Sequence, residues 1–354
     1  MVIMTDQPAV VIGGVDCHAE FHLAVVLDEQ GRNLGDERFD ANEAGYQKML
    51  DWLWSFGQLL EVGVESTGSY GAGLAQHLAS EGVRVIEINQ PHAHVRHRRG
   101  KTDTIDAEAA ARKVLSGEAG GLAKARGGRI EAIRNLRVAR NSAVKSRVAA
   151  IVQLGLVIVT APAELRETIT GRGLPAKARH CASFDVDTNR IAEPVEAARF
   201  ALRSIAKRVA MLDAEIKTLD EHLTVLVGQV APSTLKLVGV GIHHASQLLT
   251  SAGENIDRFP NEAAFAHLCG VHPIPASSGK TIRHRLNRGG DRQANRALHM
   301  IVVCRLRYCE RTRTYMQRRL AEGRTKPEII RCLKRYAARE IYRTLRADLT
   351  QQTA

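Results

Sequence analysis

The stretch AVVIGGVDCHAEFHLAVVL, residues 9–27, sets the reading of the fold. It holds two β-rich runs, 9–15 and 21–27, separated by the short DCHAEF segment, and Gly31 ends the second run. NLGDERFD (33–40) can supply a third strand, which makes the opening a meander. Residues 40–54, DANEAGYQKMLDWLW, follow with helical apolar periodicity, and Asp40 and Glu43 stand in capping-box spacing. Residues 60–66 and 83–89 are strand-like, the helical pattern GAGLAQHLASEG lies between them, and a further helix is expected over 103–117. The order β-β-β-α-β-α-β-α describes a mixed α/β sheet, and the ribonuclease H-like topology is one fold with that order.

The chain has 354 residues, enough for two or three domains, and its 44% hydrophobic content supplies a core. Fifty Lys and Arg face 38 Asp and Glu, a net charge of +12 that favours a polyanionic partner, nucleic acid first. The excess is concentrated. Residues 94–147 carry 14 basic against 5 acidic side chains, and residues 279–346 carry 20 against 5. Two basic surfaces suggest two nucleic-acid contacts. No apolar run approaches the roughly 20 residues of a membrane span, and the N-terminus has no signal-peptide pattern, so a cytoplasmic protein without a membrane partner is expected. Six scattered Cys without a C-x-x-C pair read as reduced thiols.

The middle of the chain changes character. Residues 129–160 look helical and basic, and 161–194, with Pro162, Pro175 and Pro194, looks like loop. Then Leu202, Ile205, Val209, Leu212, Ile216, Leu219, Leu223 and Leu226 follow one another at alternating spacings of 3 and 4. Such a stripe argues a coiled coil, either between protomers or folded back on 129–160; a helix packing on its own domain is the plainer alternative. In the last third, LKLVGVGIHHASQLL resembles a helix-hairpin-helix in which Gly239 and Gly241 let backbone amides approach a phosphate, although a twofold glycine cap reads equally well.

Four acids can carry chemistry. Asp16 ends the first strand and Glu65 the fourth, while Asp103 and Asp106 stand three apart on one face of a helix start. In a ribonuclease H-like sheet strands one and four are adjacent and the late helix packs against their ends, so the four carboxylates would converge. Crowded carboxylates repel one another unless they hold Mg²⁺ or Mn²⁺, and two such ions about 4 Å apart clamp the attacking and leaving oxygens of a phosphodiester. Taken singly, each acid has an ordinary reading: a strand-end Asp makes turns, and Asp103 suits a helix N-cap.

GVDCH (14–18), VESTGSY (64–70) and above all KTDTIDAEAAAR (101–112) resemble the DEDD transposases of bacterial insertion sequences, the IS110 family, described as bridge-RNA-guided recombinases. The likeness continues through 238–298 with a Gly-rich hairpin, the RF pair at 258–259, a Ser-Gly and the basic NRGGD (287–291). It implies a fold of α/β plus α type: a RuvC-like domain (1–125), a helical or coiled-coil region (126–230) and a mostly helical transposase domain (231–354). It implies that Asp16, Glu65, Asp103 and Asp106 bind Mg²⁺ or Mn²⁺, and that Ser278 in ASSGK, with Ser277 as its neighbour, links covalently to DNA. It also implies donor and target DNA and a guide RNA as partners. The assembly would be a tetramer or dimer of dimers, in which the acids of one protomer serve the serine of another. Lys280, Arg283, Arg285, Arg288, Arg292 and Arg296 near the serine, and Arg96, Arg98, Arg99 and Lys101 beside the acids, would meet phosphates. Two other functions remain open from the residues: a metal-dependent junction nuclease in which water attacks, and a non-catalytic nucleic-acid-binding protein.

Overall fold

A computed structural model describes residues 9–88, 102–117, 121–281 and 283–351. Three strands open the chain, β1 (Val10–Cys17), β2 (Phe21–Asp28) and β3 (Asn33–Asp40). Helix α1 (Glu43–Ser55) leads to β4 (Gln58–Glu65), α2 (Ala72–Ser80) leads to β5 (Arg84–Ile88), and α3 covers Asp103–Leu115. The sheet runs in the order β3-β2-β1-β4-β5; the first three strands are antiparallel neighbours, and β4 lies parallel to both β1 and β5. Strands one and four are therefore adjacent, as expected for a ribonuclease H-like order. Asn42, rather than Asp40, caps α1, its side chain accepting from the Gly45 amide at 2.9 Å.

Side-chain alternation along the strands sorts the sheet's two faces. Val11, Val15 and Cys17 of β1, with Val62 and Val64 of β4, pack against Met49, Leu50 and Leu53 of α1 and Leu74 and Leu78 of α2. Ile12 of β1 faces the other way and packs on Ala107, Ala110, Ala111 and Val114 of α3. The helix lies very close to the sheet because Gly14 and Gly63 present no side chains beneath it. A Cβ on Gly14 would overlap the Ala107 carbonyl oxygen and the Ala111 amide, and one on Gly63 would sit 2.8 Å from the Ala110 carbonyl oxygen. The alanine run of α3 is thus a packing surface matched to two glycines.

The remainder is mostly helical. α4 (Arg129–Thr160) and α7 (Pro194–Val230) pair along their length as an antiparallel hairpin, with Arg140 bonded to Asp220 and Arg147 to Asp213. The apolar stripe of α7 serves this fold-back: Leu202, Val209 and Leu223 are buried, while Leu212, Ile216 and Leu219 at mid-length are half-buried. Residues 161–194 are loop only in part. They form α5 (Ala163–Thr168) and α6 (Leu174–Ala182), whose Leu165, Ala178 and Cys181 join Leu154, Ile158, Leu202 and Ala206 in a core at the hairpin's far end. The prolines that suggested loop sit at helix starts, where no backbone donor is lost.

Beyond the hairpin come α8 (Pro232–Leu235), α9 (Ile242–Ala252), α10 (Glu262–Leu268), a two-stranded hairpin of β6 (Ile274–Pro275) and β7 (His284–Arg285), then α11 (Arg292–Tyr308), α12 (Glu310–Ala321) and α13 (Lys326–Thr350). Their core, centred on Phe265, Leu298, Ile301, Ile341 and Leu345, also takes in Ile133 of α4 and Leu223 and Val227 of α7. Gly239 sits at φ +81° against α11, where a Cβ would be 3.0 Å from the Ile301 carbonyl oxygen, so its place in the Gly-rich turn is set by helix packing. All six cysteines are free thiols. One described helix, α4, is long and apolar enough to cross a membrane by length and composition alone.

Candidate active site

Parity fixes where the acids of the sheet point. Asp16 shares the face of Ile12 and Gly14, and Glu65 that of Gly63, so both carboxylates leave the strand ends on the side covered by α3. Thr102, and not Asp103, caps α3: its hydroxyl accepts from the Ile105 amide at 3.3 Å. Asp103 and Asp106 are thereby left in the first helical turn, where the backbone dipole favours negative charge. Asp106 is buried, whereas Asp103 is half-buried.

The side chains meet around a histidine. His18 Nε2 lies 3.1 Å from Asp16 Oδ2 and 3.4 Å from Asp103 Oδ2, and one ligand atom from each of the three residues lies within 4.8 Å of the others. Burial pushes the Asp16 carboxyl above its ordinary pKa; His18 opposes the shift, and the charges of Asp103 and Asp106 add to it. Asp106 is therefore electrostatically part of the same cluster. Glu65 joins through the strand below: with Asp16, it raises the pKa of the Cys17 thiol, whose main burden is burial. Carboxylate oxygens and one imidazole nitrogen at this spacing form a donor set that fits a divalent cation; the oxygens suit Mg²⁺ or Mn²⁺, and the nitrogen is better tolerated by Mn²⁺.

His18 is the residue that sequence reasoning passed over. It stands two positions after Asp16, hence on the same side of the chain, and that spacing was the available signal. Its ring stacks on Phe21 at 4.6 Å, and the Arg38 guanidinium covers that phenyl ring at 3.5 Å, so the imidazole is held from behind.

The loop after Glu65 is tight. Ser66 is the one described non-glycine residue at positive φ, +55°, and its carbonyl accepts from the amides of Ser69 and Gly71. Gly71 tolerates no Cβ, since one would lie 2.6 Å from the Glu65 carbonyl oxygen and 2.9 Å from Cys17 Sγ. Thr67, buried, donates to Glu87 Oε1 at 2.8 Å, and the other oxygen of Glu87 faces the buried guanidinium of Arg258 at 3.7 Å. Arg258 also donates to the carbonyls of Ala252 and Ser251. The C-terminal helical unit thus reaches the acid-bearing loop through Arg258–Glu87–Thr67. Lys124, bonded to the Thr250 carbonyl, and Asn255, bonded to Ala123 and Ala125, run alongside. Arg258→Met is expected to cost about 2–4 kcal/mol in chemical denaturation, since it strips three acceptors of a buried cation.

Ser278 is at the tip of the β6–β7 hairpin. Its backbone exchanges two hydrogen bonds with Thr281 around a two-residue turn whose first central position is Gly279 at φ +55°. The Ser277 hydroxyl is engaged inside the hairpin, accepting from the Arg283 amide at 3.2 Å, whereas the Ser278 hydroxyl makes no hydrogen bond among the described residues. The hairpin stands on NRGGD. Asn287 donates to the His267 carbonyl, Gly290 packs directly on Gly270, and Asp291 caps α11 while accepting from Ser251 at 2.6 Å. This motif is an anchor more than a cation cluster. Lys280, Arg283, Arg285, Arg288, Arg292 and Arg296 are exposed around it. Arg96, Arg98, Arg99 and Lys101 lie outside the described residues.

Comparison with known proteins agrees at both ends of the chain. A model of DEDD transposases of the IS110 type matches residues 13–159, and one described as "Transposase IS116/IS110/IS902 family" matches 234–317. Among curated proteins, "Insertion element IS110 uncharacterized 43.6 kDa protein" of Streptomyces coelicolor is 27% identical over 146 residues. "Insertion element IS900 uncharacterized 42 kDa protein" of Mycobacterium paratuberculosis is 26% identical over 145. Each match takes in 40% of this chain and 36% of the relative, so the chain spans about a third of the length of the curated relatives it matches. The first model covers the sheet, α3 and its acids, and the second covers the serine hairpin with its anchor; the chain belongs to the IS110 family of DEDD transposases.

Proposed function

We propose that this chain cuts and rejoins DNA as the transposase of an insertion sequence, through a covalent bond between Ser278 and a DNA phosphate. In this reading the N-terminal unit is RuvC-like, and Asp16, Glu65, Asp103 and Asp106 hold a divalent cation beside the reacting phosphate. The observation that carries it is the gathering of Asp16, Asp103 and His18 within 4.8 Å at the ends of the sheet, with Asp106 buried beside them. A divalent cation held by these carboxylates would supply charge neutralisation at the phosphate. Asp16, pushed toward protonation by burial and by its neighbours, is suited to exchange a proton when the site fills. The serine oxygen forms a bond to phosphorus as one DNA P–O bond breaks; the hydroxyl proton leaves Ser278, and the departing DNA oxygen takes one up. One phosphodiester replaces another, so rejoining needs no external energy.

Ser278, with a hydroxyl uncommitted among the described residues, suits the nucleophile better than Ser277, which is tied to Arg283. The exposed cations of the hairpin and of α11 would grip phosphates around it. Selection of the target by pairing to a guide RNA would leave the protein needing few base-reading side chains, and a basic composition is compatible with that. The acids and the serine stand on different units. In addition, α4 leaves Val148, Val152, Leu156 and Val159 exposed, in keeping with a tetramer in which one protomer's acids serve another's serine.

The test is a denaturing gel. Full-length protein, Mg²⁺, DNA bearing the element's ends and a transcript of the flanking non-coding region should give a protein–DNA adduct. Ser278→Ala should abolish the adduct and Ser277→Ala should keep it. Cleavage that persists in Ser278→Ala without an adduct would overturn the serine mechanism in favour of attack by water.

A further inference from the structure

A cleft whose lining includes neither the acids nor Ser278 lies between α11, α12 and α13 and the segment 236–238. Its volume is about 960 Å³, at the upper end of the roughly 300–1,000 Å³ typical of small-ligand sites and enough for one or two nucleotides. Leu237, Val302 and Leu333 line it from the apolar core. Tyr315 and Tyr336 form one wall, edge to face at 5.7 Å and 88°, and Tyr336 stays 47% exposed. Two features give the wall a ligand preference.

The first is where the tyrosines are. Aromatic residues make up only 4% of the chain, yet three of its six tyrosines, Tyr308, Tyr315 and Tyr336, fall within residues 308–336. Two of them carry a guanidinium over the ring: Arg307 on Tyr308 and Arg318 on Tyr315, each at 5.4 Å. The second is the charge at the rim. Lys236, Arg311 and Arg318 all line the cleft and are exposed, with Arg311 3.6 Å from Glu340 and Arg318 3.7 Å from Glu322 in solvent-facing pairs that a phosphate can displace. Arg305, deeper in, is already taken by Glu340 and by the Val238 carbonyl, so it helps shape the cleft and is not free for a ligand. A partly exposed aromatic face bounded by cations matches a flat base joined to a phosphate. A paired base in a duplex has no free face to offer, so the complementary ligand is single-stranded.

We propose that this cleft binds an unpaired nucleotide of single-stranded nucleic acid, with its base on Tyr336 and its phosphate on Arg318 and Lys236. The proposal needs the basic C-terminal unit to meet nucleic acid, but it does not depend on the serine mechanism. Binding can therefore be measured with the Ser278→Ala protein, so that failure here and failure of that mechanism are told apart.

The probes are fluorescent twelve-nucleotide oligo(dT), oligo(rU) and a duplex of equal length, followed by anisotropy in about 0.1 M salt. Tyr336→Ala should weaken single-strand binding roughly tenfold, the scale of one lost stacking contact. Tyr336→Phe should restore it, and duplex binding should change less than about twofold. Arg318→Ala should weaken single-strand binding and flatten its salt dependence. A preference for oligo(rU) would assign the cleft to RNA and a preference for oligo(dT) to displaced DNA, both on the same chemistry. Parent-like single-strand binding by Tyr336→Ala and Arg318→Ala, with unchanged melting temperatures, overturns the proposal. So does an equal loss on duplex, which would mark a general electrostatic surface.

Discussion

Asp16→Ala is expected to lower DNA strand cleavage by about 10³-fold or more while leaving the protein folded, because the loss strikes charge stabilisation at the reacting phosphate. The argument starts from what the folded chain tolerates. Asp16 is half-buried among like charges; desolvation raises its pKa first, and Asp103 and Asp106 raise it further against the opposing His18. Removing its carboxylate relieves repulsion at the end of β1, so alanine should leave the melting temperature unchanged or slightly raised. A residue that mattered only as a turn former would behave the other way, losing stability and sparing chemistry. Asp16→Asn keeps shape and volume and removes only the charge, so it should match alanine in activity. The measurements are cleavage of a supercoiled plasmid carrying the element's ends, with and without EDTA, and thermal melting of each variant. Cleavage that survives in either variant would return these acids to capping and turn roles.

Much of this geometry was legible because it follows from periodicity. The meander 9–40, the strand ending at Glu65 and the helix beginning at 103 are present as read, and side-chain alternation alone puts Asp16 and Glu65 on the face covered by α3. The misses arise where a local signal has two meanings. Pro162, Pro175 and Pro194 punctuate a loop and begin a helix equally well, and only burial of Leu165 and Cys181 against the hairpin decides between them. Capping-box spacing pointed to Asp40, yet the neighbouring Asn42 provides the cap. His18 escaped notice since one histidine near a strand end is commonplace; its meaning depends on Asp103, 85 residues on in sequence and 3.4 Å away in space. The NRGGD motif reads as a basic segment, and the contacts of Gly290 with Gly270 and of Asp291 with Ser251 that anchor it are not revealed by spacing. The chain Arg258–Glu87–Thr67 is likewise tertiary throughout.

Gly14→Ala tests whether the acid cluster depends on the closeness of α3 to the sheet. The added methyl carbon would overlap the Ala107 carbonyl oxygen and the Ala111 amide and sit 2.7 Å from Ala111 Cβ. Two of these neighbours are helix backbone, which cannot rotate away, so α3 must lift. Overpacking a core costs about 1–3 kcal/mol when side chains can adjust, and a rigid contact belongs at or beyond the top of that range. Against a typical total of about 5–15 kcal/mol, the expected result is a melting temperature lowered by many degrees. The effect on chemistry should outlast the effect on folding. Asp103 and Asp106 ride on the first turn of the displaced helix, so cleavage should stay depressed even at temperatures where the variant remains folded. Gly82→Ala supplies the contrast: its φ is +78° but nothing lies within 4 Å of the added carbon, so it should cost only about 1 kcal/mol of backbone strain and leave cleavage intact. Ala111→Gly, introduced beside Gly14→Ala, removes one of the three clashing atoms and should recover part of the stability. If both glycine substitutions cost the same, the spacing of α3 from the sheet is not what holds the acids together.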